Sequence, residues 1–294
     1  LQRYPEPAAW AGVSDDELHS AWAGLGYYRR ARLLRDGARA VVRDHGGQVP
    51  SDPTRLGKLP GVGAYTKGAV ASIAFGLPLP AVDGNVERVL ARQRRYELPV
   101  KNAVGQRQMR AWVEQAQTRD RPGAFNQALM ELGAMVCTPR SPRCGTCPVA
   151  ADCLGQDAVD RLPVLPKRRA PVDVTARIVL IPADGGVLAA PIPPGEPNAG
   201  QWEPPGAGLL VDVAEPDDLE GPLHSRHGAR VELGPELGRF RHGITHHRIR
   251  VLVHSGRVLR RGELQPRVPG DPAVPWSTAA RKAFQAAGMG TAEE

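Results

Sequence analysis

Cysteine is scarce in this 294-residue chain, and its placing is narrow: Cys137, Cys144, Cys147 and Cys153 are the only four, and they fall within seventeen residues. A disulfide framework belongs to short secreted chains with cysteines spread along them, so paired disulfides are the weaker reading of this cluster. No run of eighteen apolar residues occurs, which excludes a membrane-spanning helix of ordinary composition. The opening, Leu1 to Pro5, reads as neither a signal nor a transit peptide, and no internal repeat is present. What remains is a chain long enough for two ordinary domains, each able to bury a core.

What the chain does have is positive charge and a dense thiol loop. Lys and Arg exceed Asp and Glu by 38 to 31, a formal charge of +7 with a pI near 9.6, which favours an anionic partner such as nucleic acid. Four thiolates spaced C-x6-C-x2-C-x5-C can reach one point, as a metal or cluster site requires. That spacing serves zinc and iron–sulfur equally.

Hydrophobic periodicity divides the chain. Apolar residues recur at helical spacing between Asp15 and Val42, with Gly24 and Gly26 breaking the run into two helices. Further helices are predicted at 64–75, 84–95, 105–117 and 122–135, the last ending just before the cysteine loop. Arg161 to Pro171 is rich in Pro and basic residues and reads as a linker within 155–171. Beyond it the pattern shortens to strands at Ala176–Ile181, Val187–Ala190 and Ile249–His254, with one helix near 276–287. The expected domains are therefore 1–154, helical, and 172–294, α/β or α+β.

Two stretches carry chemistry. Leu59-Pro60-Gly61-Val62-Gly63 is a tight turn between helical segments, where backbone N–H groups and the positive end of a helix can hold a phosphate oxygen, with Lys67 adding charge. Asp83, in Val82-Asp83-Gly84-Asn85-Val86, opens an amphipathic helix and reads both as an N-cap and as a carboxylate held at the mouth of a cleft.

The order of the LPGVG turn, the VDGNVERV segment and ELGAMVC leading into the cysteine loop resembles the helix-hairpin-helix DNA glycosylases that carry a 4Fe-4S cluster. This likeness covers residues 1 to about 154. It implies an all-α glycosylase domain, a 4Fe-4S cluster on the four cysteines, and a basic DNA-facing loop with Arg140 and Arg143. The target nucleotide would then be turned out of the duplex. Where the endonuclease III branch has a Schiff-base Lys, two residues past the turn's last Gly, this chain has Tyr65, so strong lyase activity is not expected. Tyrosine there is similar to the adenine DNA glycosylases of the MutY family, which remove adenine opposite 8-oxoguanine. A thymine-mismatch branch shares the Tyr but is a single short domain.

Further features fit the MutY resemblance. Gly24-Leu25-Gly26-Tyr27 resembles the loop whose Leu and Tyr wedge beside the oxidised guanine. Trp202-Glu203-Pro204-Pro205-Gly206 resembles part of a Nudix-like recognition domain, and Ile244-Thr245-His246 stands where the lesion-reading loop usually has F-S-H. The stretch 215–231 lacks the glutamate cluster that would hold magnesium, so nucleotide pyrophosphatase activity is not expected.

Hydrolysis of a purine N-glycosidic bond needs an acid for the leaving base and a carboxylate for the oxocarbenium-like sugar. Asp83 fits the second role, with Tyr65 and Asn85 positioning it. The resemblance implies the first role for a Glu in a segment like S-E-x-M-L-Q-Q-T, which does not occur; Glu6, Glu17 and Glu97 lie in unmatched contexts. The chain is accordingly expected to be N-terminally truncated and, as written, nearly inactive and poorly stable. The expected whole is a monofunctional, monomeric, cytoplasmic bacterial enzyme acting on double-stranded DNA with 8-oxoguanine:adenine mispairs. The phosphate grip is expected from Leu59, Pro60, Gly61, Val62, Gly63 and Lys67, and opposing-base reading from Leu25, Tyr27, Thr245 and His246. The rivals are an endonuclease III-like lyase and a non-catalytic iron–sulfur DNA-binding remnant.

Overall fold

A computed structural model describes residues 3–22, 25, 27–167 and 169–289. Contacts divide the chain into two compact units, one of residues 1–12 with 33–168, the other of residues 13–32 with 169–294.

The first unit is helical. Its helices are α1 (Pro7–Ala11), most of α3 (Tyr28–His45), α4 (Pro53–Leu56), α5 (Ala64–Phe75), α6 (Gly84–Gln93), α7 (Ala103–Ala116) and α8 (Pro122–Glu131), while α2 (Asp15–Ala21) groups with the second unit. Local signals set the starts: Asp52, Asp83 and Asn102 cap α4, α6 and α7 with their side chains, and Pro occupies the first turn of α1, α4 and α8. Two apolar clusters hold the unit. Ala40, Val41, Leu56, Leu59 and Ala71 join α3, α4 and α5, and Val86, Leu90, Val100, Met109 and Val113 join α6 to α7. The helix expected to run to 135 stops at Glu131 and continues as a π-turn, Leu132–Val136, that aims the chain into the cysteine loop.

The second unit is α/β, as its sequence pattern indicated. Strand β1 (Val172–Leu180) pairs parallel with β6 (His247–Arg260), which pairs antiparallel with β5 (Arg230–Ile244), giving the order β1-β6-β5. A second sheet runs β2 (Pro182–Ala183), β3 (Gly186–Pro191), β4 (Trp202–Glu203), with β7 (Gln265–Arg267) also on β3. Helix α10 (Thr278–Ala286) packs Ala280, Ala283 and Phe284 against Ile178, Ile249, Val251 and Trp276. Helix α9 (Glu220–His227) buries Leu223 against Val179, Leu188 and Leu264.

Strand β5 escaped the sequence reading. It contains Gly234, Pro235, Gly238 and Gly243, residues that ordinarily interrupt strands, and it alternates charged with apolar positions. Register shifts between Leu233 and Gly238 absorb the Gly and Pro residues as bulges, and pairing along β6 supplies the order that local propensity withholds. No helix of the described residues is long and apolar enough to cross a membrane.

Candidate functional site

Asp83 sits at the start of α6 in an extended conformation. One carboxylate oxygen accepts the Val86 N–H at 2.8 Å, and the other accepts the Asn85 side-chain amide at 3.1 Å. The capping and the functional readings are therefore compatible: the cap bond anchors Oδ1, and Asn85 orients Oδ2. The carboxylate borders a cleft of about 490 Å³ lined also by Gly84, Asn85, Glu87, Arg88 and Lys101.

Asn85 is itself held. Its carbonyl oxygen accepts from Arg88 at 2.9 Å, and the same guanidinium donates to the Gly133 and Cys137 carbonyls, both at 2.8 Å. Burial lowers the pKa of Arg88 from its ordinary value, with the neighbouring charges acting less strongly. An unbroken chain of hydrogen bonds thus runs from Asp83 to the backbone of the first cysteine. It depends on the π-turn lying close to α6: a Cβ on Gly133 would stand 2.6 Å from Asn85 Cβ, so no larger residue fits.

Three local turns bring the cysteines together. Cys137 ends the π-turn, its N–H donating to the Leu132 carbonyl; Cys144 begins a 3-10 turn closed by the Cys147 N–H; Cys153 follows a turn from Ala150. All four are free thiols and line one small cavity of about 30 Å³. Among the described residues no group of three or more His, Cys, Asp or Glu converges tightly enough for a single ion. Thiols spread around one cavity suit a multi-iron cluster better than a mononuclear zinc site, so the donor set fits 4Fe-4S. Cys137, Cys144, Cys147 and Cys153 would be its ligands, and such a cluster ties a loop without regular structure into one rigid piece.

Arg92, one turn beyond Arg88, was not anticipated. It is 2% exposed, yet its guanidinium donates to the carbonyls of Thr138, Pro139, Val159 and Leu162 and lies 3.4 Å from Cys137 Sγ. The available signal was Arg88 and Arg92 four residues apart on one helix face, an arrangement of like charges that is unfavourable unless each finds partners. Glu87, also buried, pairs with Lys101 at 2.7 Å and accepts from Gln106 at 2.6 Å.

The glycine turn between α4 and α5 divides its labour. Leu59 is buried and Val62 packs beside it in the core, so their side chains serve the fold, whereas Pro60, Gly61 and Gly63 are exposed. Gly61 has φ 80°, a left-handed conformation that glycine tolerates without strain. Gly63 caps α5 without a side chain, leaving backbone N–H groups of the first turn free to meet an anion. The stem of Lys67 reaches back over Gly57.

Tyr65 directs its hydroxyl to Met130 Sδ at 3.4 Å, while the side-chain hydrogen bond to the Asp83 carboxylate comes from Asn85. Leu25 and Tyr27 are 61% and 81% exposed, and Tyr27 holds φ 49° beneath the Arg30 guanidinium at 5.2 Å. Both are surface residues, and Gly24 and Gly26 lie outside the described residues. In the second unit Thr245, with φ 54°, and His246 form the tip of the β5–β6 hairpin, their side chains 3.3 Å apart. Glu17 pairs with Ser14 in a helix-capping exchange and Glu97 with Arg95 and Arg161, so both have structural occupations.

The HhH-GPD superfamily of base excision DNA repair proteins matches residues 1–114, and the iron–sulfur binding domain of endonuclease III matches residues 137–153. The human adenine DNA glycosylase is 46% identical over 162 residues, 55% of this chain and 30% of that protein. The Mycobacterium tuberculosis (strain CDC 1551 / Oshkosh) adenine DNA glycosylase is 42% identical over 149 residues, 51% of this chain and 49% of that protein. The chain thus spans half or less of the length of these curated relatives. A MutT Nudix hydrolase structure from Burkholderia pseudomallei has 23% identity over 39% of this chain and 97% of its own, with a TM-score of 0.30. An Asp83 site on a capped helix, a glycine turn with free amides and a four-thiol cavity are parts of one domain, and that domain is similar to the HhH-GPD superfamily over residues 1–114 and to the endonuclease III iron–sulfur domain over residues 137–153.

Proposed function

We propose that this protein is a monofunctional DNA N-glycosylase that removes adenine opposite 8-oxoguanine in double-stranded DNA. The observation that carries the reading is the Asp83 carboxylate, fixed at both oxygens on a residue that lines a cleft, where it would stabilise positive charge developing on the deoxyribose as the bond to adenine breaks. Adenine leaves with the bonding electron pair, water adds its oxygen to the sugar carbon, and the proton that water loses balances the one taken up by adenine. Both relatives described above are named adenine DNA glycosylases, which supports adenine as the base removed. Tyr65 in place of an amine supports hydrolysis without a Schiff base, and hence without strand cleavage.

The exposed amides at Gly61 and Gly63, with Lys67, would hold the strand beside the flipped nucleotide. Leu25 and Tyr27 would serve as a stacking wedge, with which their exposure is consistent. Thr245 and His246 would inspect the oxidised guanine from a Nudix-like domain acting as a reading module. The 4Fe-4S loop would present Arg140 and Arg143 to phosphate.

The test isolates the carboxylate. Binding is measured to duplexes carrying, opposite 8-oxoguanine, either a cationic pyrrolidine or a neutral tetrahydrofuran abasic analogue. The protein is expected to favour the cation by about tenfold or more, since groups complementary to the transition state bind its mimics tightly. Asp83→Asn should bind the two equally. Equal binding by the unaltered protein would overturn the proposal.

A further inference from the structure

The β5–β6 hairpin carries arginines that fall into two groups. Arg230, Arg239, Arg248 and Arg257 each pair with a carboxylate, from Glu220, Glu236, Asp173 and Glu232 respectively. Arg241, Arg250 and Arg260 have no such partner among the described residues; Arg260, at the end of β6, lies opposite the paired Arg230, whereas Arg241 and Arg250 stand directly opposite each other in the ladder. Opposed residues on an antiparallel pair bring their Cβ atoms to about 5 Å, and like charges in that position repel. Arg241 and Arg250 are thus a directly opposed pair in which neither charge is neutralised, and an anion would complete that surface.

The neighbouring positions suit that anion. Arg241 and Arg250 are exposed, on the face opposite the one that packs Phe240, Ile249 and Val251 towards α10. Thr175 on β1 lies beside Arg250 in the parallel ladder, so a row Thr175–Arg250–Arg241 crosses three strands. One step towards the hairpin tip the same face has Gly243 beside Arg248. A Cβ on Gly243 would meet nothing nearer than 4.0 Å, so the missing side chain leaves open space above the backbone rather than a tight packing contact. A glycine of this kind, near the end of a strand, leaves room for another backbone to approach closely.

We propose that this face of the β1-β6-β5 sheet is a phosphate track for a DNA strand: Arg241 and Arg250 straddle backbone phosphate, Thr175 lends a hydroxyl, and Gly243 lets the strand lie close to the sheet. The assignment rests on the DNA repair reading above for the identity of its polyanion, and it gives the second unit a sequence-independent grip separate from base inspection at Thr245. Contacts to phosphate position a protein without reading sequence, so the track strengthens binding to damaged and undamaged duplex alike.

The experiment compares the unaltered chain with the double variant Arg241→Gln/Arg250→Gln, measuring affinity for an 8-oxoguanine:adenine duplex and for an undamaged duplex across a salt series. Two lost phosphate contacts should reduce the slope of log affinity against log salt by about 1.8 and weaken binding about tenfold at low salt, on both duplexes equally. The control Arg230→Gln/Arg257→Gln, on the same hairpin, should leave the slope unaltered. The Arg241→Gln/Arg250→Gln protein should melt no lower than its parent, because relief of repulsion costs no internal bond. An unchanged slope, or a loss confined to the damaged duplex, would overturn the phosphate track. Failure of the repair reading shows separately, as absence of cation preference in the abasic-analogue measurement, and leaves the salt slope to be judged by itself.

Discussion

Asp83 has two jobs that substitution can separate. As an N-cap it accepts the Val86 N–H, and replacing such a cap with Ala costs about 1 kcal/mol, whereas Asn caps nearly as well. Asp83→Ala should therefore lower stability by about 1 kcal/mol in denaturant titrations, while Asp83→Asn leaves it nearly unchanged and still loses the cation preference. Equal destabilisation by both would show that the charge, not the cap, holds the helix start. The sequence exposed Asp83 and Asn85 through their neighbours, but it could not show that Arg88 holds Asn85, because that depends on carbonyls 45 and 49 residues further along.

At the scale of elements, α6 and the cysteine loop act as one assembly. Arg92 satisfies four carbonyls in a segment with little regular structure, and burying a guanidinium is tolerable only with such partners. Truncating it would leave those carbonyls unpaired, at a cost of about 3 kcal/mol or more. Arg92→Met should purify with reduced iron per chain and a weakened absorbance band near 400 nm, even where far-UV dichroism shows the helices intact. Full iron content in that variant would mean that the cysteines alone organise the loop. Helices α5 to α8 were legible because their caps and periodicity are local. Strand β5 was not, since its Gly and Pro residues are accommodated only by bulges against β6.

For the whole molecule, net charge and a buried histidine give a pH dependence. His227 in α9 is 1% exposed, and neither ring nitrogen has a hydrogen-bond partner. Burial, with help from the Arg226 charge, lowers its pKa from 6.5 to about 4. A histidine depressed in the folded state is neutral there while the unfolded chain takes up a proton. Its contribution is therefore complete above about pH 6.5 and is lost as pH falls towards 4. The loss amounts to roughly 2–3 kcal/mol. His227→Leu should flatten that part of the stability profile between pH 7 and 4 in chemical denaturation; an unchanged slope would place the sensitivity elsewhere. A surface carboxylate such as Asp157, its pKa lowered by its hydrogen bond to Arg95, shares this sign, but solvent screens its contribution.

The chain's composition and order determined the charge, the thiol cluster, the capped helices and the glycine turn, because each arises from residues close together in sequence. Tertiary structure decided which of these became a site: it turned Leu59 and Val62 inward, sent the Tyr65 hydroxyl to Met130, and joined Asp83 to the cysteine loop through Arg88. It also set Arg241 against Arg250. Pairings of that kind depend on strand register and on helices meeting across long stretches of chain, and neither period nor propensity encodes those distances.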